Sequence, residues 1–119
     1  MSTLESEIEK KIRSFVKSTG GNFHKLNANY DPGIPDRLVV YPDSPSVYFE
    51  LKQANGTLSN KQEFRINQLK EQVYRAHVVR DLDAFKKILS SYPDIQQSIK
   101  NAKLNRSKNT SKTGYQIFT

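Results

Sequence analysis

Three ionisable side chains in this chain have the types and spacing for phosphoester chemistry: Asp36 in "GIPDR", and Glu50 and Lys52 in "YFELKQANG". Side chains on a strand alternate between faces. If "VYFELK" is a strand, Glu50 and Lys52 therefore share one face, and Phe49 and Leu51 share the other. Taken alone, a glutamate and a lysine two residues apart are a surface ion pair, worth under about 1 kcal/mol. An aspartate brought alongside changes the chemistry. Hard divalent cations such as Mg2+ take carboxylate and carbonyl oxygens plus waters. A lysine beside such a cation can orient or activate a water. Hydrolysis of a phosphodiester needs those parts, together with cover for the developing negative charge.

The elements around these residues decide whether they meet. Leu4, Ile8, Ile12, Phe15 and Val16 recur at helical spacing, which predicts an amphipathic helix over residues 3 to 18. Ser2 or Thr3 can cap it and Gly20-Gly21 stops it. "NFHKLNA" predicts a first strand and "NYDPGIPD" a loop dense in turn formers. "RLVVYP" and "VYFELK" then form a hairpin across "DSPS". Pairing Tyr41 near Val47 would bring Asp36 beside Lys52, and nearby registers keep Asp36 and Glu50 within one or two rungs. Ser59 or Asn60 caps a helix over residues 61 to 72, with Phe64, Ile66 and Leu69 as its apolar positions. "YRAHVV" is a fourth strand, Asp81 caps a helix over 82 to 91, and a short last helix from Pro93 reaches about residue 103. The order predicts an α/β fold: a mixed four-stranded sheet flanked by helices, αβββαβ through the fourth strand.

Gly33, Ile34, Pro35, Asp36, Arg37, then Glu50, Leu51, Lys52, then Gly56, Leu58, Ser59 and Gln62 form a set whose order resembles the VRR-NUC family of the PD-(D/E)xK nuclease superfamily, over roughly residues 5 to 89. Stand-alone chains of this size resemble its viral or phage members. The resemblance implies a restriction-endonuclease-like core and a metal-dependent (Mg2+ or Mn2+) deoxyribonuclease. Asp36 and Glu50 would hold the metal with help from the Leu51 carbonyl, Lys52 would handle the water, and Gln62 would complete the site. It also implies a first-helix glutamate. At about 100° per residue, Glu5 lies roughly 50° and Glu9 roughly 90° from the centre of the apolar stripe on the same side. Glu7 lies about 110° away on the other. Either Glu5 or Glu9 can edge a site; "EKKI…GG" looks like the pattern of related resolvases and favours Glu9. The family usually has a glycine after the second helix, where this chain has Val73. A β-branched residue there resists a positive φ, which bears on stability more than on the site.

With 119 residues, the chain is read as a single domain over 1 to 103, followed by a basic, mobile tail over 104 to 119. Net charge is +7, yet residues 1 to 94 carry 14 basic and 12 acidic groups. The rest of the excess is Lys100, Lys103, Arg106, Lys108 and Lys112, a segregated basic segment of the kind that neutralises phosphates. Lys25, Arg37 and Lys61 are candidate nucleic-acid contacts; Arg37 can equally pair with a carboxylate. Tyr30 can stack on a base or cover the sheet edge. The absence of cysteine excludes disulfides, zinc-thiolate sites and thiol nucleophiles. His24 and His77 lack a second ligand at metal spacing. With no apolar run long enough for a span, the expectation is a soluble cytoplasmic protein, in a bacterial host cell if phage-encoded. Its expected partner is DNA, as a homodimeric endonuclease resolving Holliday junctions, since a four-way junction needs two active sites. The rivals are a non-catalytic nucleic-acid-binding module on the same fold and a basic structural protein.

Overall fold

The computed structural model describes residues 4–26, 33–72 and 75–109, with side chains through 106. Helix α1 (Glu5–Ser18) lays Ile8, Ile12 and Val16 into the core. Its N-cap position is Leu4, with no side-chain cap; the expected caps Ser2 and Thr3 lie outside the described residues. Gly20, at φ 94°, turns the chain out of the helix, a conformation that costs glycine nothing. Then follow β1 (Asn22–Lys25), β2 (Arg37–Val40), β3 (Val47–Leu51), α2 (Asn60–Glu71), β4 (Arg75–Val79), α3 (Leu82–Ser90) and α4 (Pro93–Asn109).

The sheet order is β1-β2-β3-β4, antiparallel for the first two pairs and parallel for β3 with β4. It is the mixed four-stranded α/β sheet expected. The parallel pair requires a crossover, which α2 supplies. Val39, Val47, Phe49, Leu51 and Val79 cover one face of the sheet and pack against α1, Phe85 and Leu89 of α3, and Ile95 of α4. Phe49 meets Phe85 with ring centroids 4.7 Å apart. The opposite face takes α2, with Ile66 and Ala76 buried there. Phe64, expected among the apolar positions of α2, faces outward instead and is 64% exposed. At about 100° per residue Phe64 lies about 160° round the helix from Ile66, which is buried against the sheet, and so it points away from it.

The hairpin register differs from the expected one by two residues. Val39 pairs with Val47 and Arg37 with Phe49, and Tyr41 lies outside the ladder. Its buried phenol hydrogen-bonds the Thr19 hydroxyl at 2.6 Å, which draws the chain towards the end of α1 and lengthens the connection. One step further along the observed ladder sets Asp36 opposite Glu50, where the expected register had Lys52.

Helix α4 runs to Asn109, six residues past the expected end near 103, so the first part of the segment read as a mobile tail is helical. Its contacts explain the extension. A Cβ on Gly20 would lie 2.6 Å from the Cβ of Ala102, and Arg106 donates to the Ser18 carbonyl, so α4 is braced against the end of α1. Tyr30, Val73 and residues 110 to 119 lie outside the described residues. No helix among the described residues is long and apolar enough to cross a membrane.

Candidate active site

Asp36 stands at the entrance to β2. Its backbone carbonyl accepts from Leu26 N at 2.7 Å, and Arg37 begins the ladder, so its position is fixed from both neighbouring strands. Gly33, three residues earlier, has φ 88° and passes so close to α2 that a Cβ would lie 2.6 Å from the Lys61 carbonyl. Only glycine allows that loop to seat against the helix and deliver Asp36.

Glu50 lies near the end of β3, on the face covered by α2, and is 4% exposed. Burial, then the negative charge of Asp36, push its carboxyl up to about 7 against the attraction of Lys52. Lys52 follows on the same face, with Nζ 4.0 Å from Glu50 Oε2, at the outer limit of an ion pair. Its own N–H donates to the Val79 carbonyl at 3.0 Å, so the parallel ladder is still intact where the lysine leaves it.

Gln62 is held by helix capping. Ser59 Oγ accepts from Gln62 N at 3.1 Å, and Gln62 Oε1 accepts from Ser59 N at 2.9 Å. That leaves the side-chain NH2 to point at the sheet, where it donates to Glu50 Oε2 at 3.2 Å. The "SNKQ" spacing is thus both a cap and the means of orienting a site residue.

Arg37 is 3% exposed, on the sheet face covered by α1. Its Nε donates to Glu9 Oε2 at 2.8 Å, and its Nη1 lies 2.6 Å from Asp36 Oδ2. Of the two roles open to Arg37 from sequence, the structure engages it with carboxylates. Glu9 also accepts from Arg13 at 3.1 Å. Burial raises the Glu9 pKa, but the two arginines outweigh it and hold the carboxyl below its ordinary range. Glu5, one turn earlier and half-buried, is the first-helix carboxylate whose charge is felt at Glu50. Glu7 is exposed, as its helical phase predicts. Lys25 and Lys61 are both exposed, on different elements: Lys25 pairs with Arg37 at the edge of the sheet and Lys61 is the second residue of α2.

Sequence reasoning missed Arg80. Its Nη1 donates to the carbonyls of Gln53 at 2.8 Å and Gly56 at 2.6 Å, clamping the turn that follows Lys52. No local signal marks an arginine 24 residues from its partner.

The donor set suits a hard cation. Asp36 Oδ1 and Glu50 Oε1 are buried and have no hydrogen-bond partner, which is costly unless something else supplies positive charge. No group of three His, Cys, Asp or Glu among the described residues converges as a ligand cluster. An ion here would therefore rely on two carboxylates, a backbone carbonyl and waters, a composition that Mg2+ accepts.

Comparison with solved structures concerns the fold. One described as "VRR_NUC domain" superposes with a TM-score of 0.67 at 22% identity, covering 74% of this chain and 96% of its own. Another, "VRR_NUC domain protein", gives 0.62 at 17% identity, covering 78% and 90%. The chain has the VRR-NUC fold. No family model matches the sequence, and no curated protein does. At these identities the likeness is one of architecture. Of the residues quoted from the sequence, Asp36 precedes β2, Glu50 lies near the end of β3, Lys52 follows it, and Gln62 lies in the first turn of α2.

Proposed function

We propose that this VRR-NUC fold is a divalent-metal-dependent DNA endonuclease acting on branched DNA, with a Holliday junction as the preferred substrate and a homodimer as the acting form. The observation that carries the reading is the pair of buried, unpartnered carboxylate oxygens of Asp36 and Glu50, with Lys52 beside them. A retired enzyme retains no physical reason to keep two carboxylate oxygens buried side by side without hydrogen-bond partners.

Asp36, Glu50 and the Leu51 carbonyl are the groups that would hold Mg2+ or Mn2+. When bound, such a cation neutralises the carboxylates and stabilises charge on the phosphate under attack. The chain's own residues do the rest. Gln62 fixes the Glu50 carboxylate. Lys52 holds the attacking water and shields the negative charge that accumulates as the phosphorus–oxygen bond breaks. Hydrolysis proceeds in one step with no covalent enzyme intermediate. Glu5 is the first-helix carboxylate that edges the site, and Glu9 contributes through Arg37, which positions Asp36. Lys25 and Lys61 receive backbone phosphates on either side. Two sites on a two-fold dimer would cut opposing strands of a junction.

The test is cleavage of labelled four-way junction, flap and duplex with Mg2+, with Mn2+ and with chelator, beside Asp36→Ala and Lys52→Ala. The expected result is paired, metal-dependent nicks on the junction that both variants lose. Binding without cleavage under every condition would replace this reading with that of a nucleic-acid-binding module.

A further inference from the structure

Phe64 is the one aromatic among the large apolar side chains that the described surface leaves exposed. Such a side chain forgoes roughly 1.5–3 kcal/mol of burial. At about 100° per residue, Lys61, Phe64 and Arg65 fall within one flank of α2, away from Gln62 and Ile66, which face the sheet. Together with Asn60 they line an open cleft of about 240 Å3. Lys61 precedes Gln62, which donates to Glu50, so the cleft and a residue of the candidate site share the first turn of α2 on different flanks. Residues three apart on a helix have Cβ atoms about 5–6 Å apart. Lys61 and Phe64 are therefore spaced to take a phosphate and a base of the same nucleotide.

We propose that this cleft binds an unpaired nucleobase of the DNA, stacked on Phe64, with its backbone phosphate against Lys61. An aromatic face bordered by cations is the composition that grips single-stranded nucleic acid. In intact duplex each base is stacked on its neighbours and offers no free face; in an unpaired flap it does. The cleft thus supplies a physical source for preferring DNA with an unpaired flap over plain duplex, which two carboxylates and a lysine do not encode. This inference rests on the reading of the chain as a nuclease for its biological setting, but not for its test.

The test is binding of the full chain, in chelator, to DNA carrying 2-aminopurine in a short unpaired flap, against fully paired duplex of the same length. Phe64→Ala is expected to weaken flap binding about 5- to 150-fold and to leave duplex binding unchanged. Phe64→Trp is expected to retain both flap affinity and the quenching of 2-aminopurine. Equal losses on flap and duplex, or no loss on the flap, would overturn the proposal. So would a Phe64→Ala chain that sediments as a smaller species than the wild type, which would assign the cleft to a second copy. Because no metal is present, absence of cleavage elsewhere would sink the nuclease reading and leave this result standing.

Discussion

Replacing Glu50 by glutamine should stabilise the metal-free protein at neutral and alkaline pH. Glu50 is nearly inaccessible, and its carboxyl is raised from an ordinary 4.5 to about 7, first by burial and then by the charge of Asp36. A carboxyl raised on folding favours the native state below about 4.5, and that advantage is lost as pH rises through about 7. Each pH unit between those values is worth 1.36 kcal/mol, so the wild type forfeits about 3 kcal/mol across the window. Glutamine has the same size, keeps an acceptor for Gln62 and carries no charge. Urea unfolding of both proteins in chelator, from about pH 4 to 8, isolates the difference because their other titrating groups are shared. The stability of Glu50→Gln minus that of wild type should rise between about pH 4.5 and 7 and then level off. Saturating Mg2+ should close most of the gap, stabilising the wild type by about 2.7 kcal/mol at a hundredfold excess over Kd and leaving the variant unchanged. A difference that stays flat with pH, or a variant less stable than wild type at pH 8 in chelator, would refute the claim that Glu50 is a desolvated carboxylate awaiting a cation.

Three further variants probe the groups around it. Ser59→Ala should cost about 1 kcal/mol of stability through the lost cap and should also reduce cleavage severalfold, because Gln62 is no longer latched towards Glu50; thermal unfolding and nicking assays on one preparation separate the two effects. Arg37→Met should destabilise by about 3 kcal/mol, since it leaves Asp36 and Glu9 without their shared cation. Arg37→Lys should recover less than half of that loss, because a point charge cannot bridge two carboxylates as a planar guanidinium does; chemical denaturation measures both.

The local elements were legible because local physics makes them. The apolar stripe of α1, the Ser59 capping box and the Asp81 cap of α3 are written in residues three or four apart, and each forms as the spacing requires. Alternation along "VYFELK" likewise put Glu50 and Lys52 on one face without any knowledge of the sheet. The hairpin register was not legible, since Tyr41 is removed from the ladder by a hydroxyl bond to Thr19, 22 residues away. Helical phase left Glu5 and Glu9 as alternatives, and Arg37 open to phosphate or carboxylate. One long-range contact bears on both: Arg37 reaches across from β2 to Glu9. The outward turn of Phe64 was hidden for the same reason, because only the packing of α2 on the sheet decides which apolar side chains face inward. The sequence by itself determined the type and order of the elements and which chemical groups are carried on the strand ends. Tertiary structure decided which of those groups face one another, because distances between distant segments depend on how side chains fill the space between layers, and no short-range spacing records that.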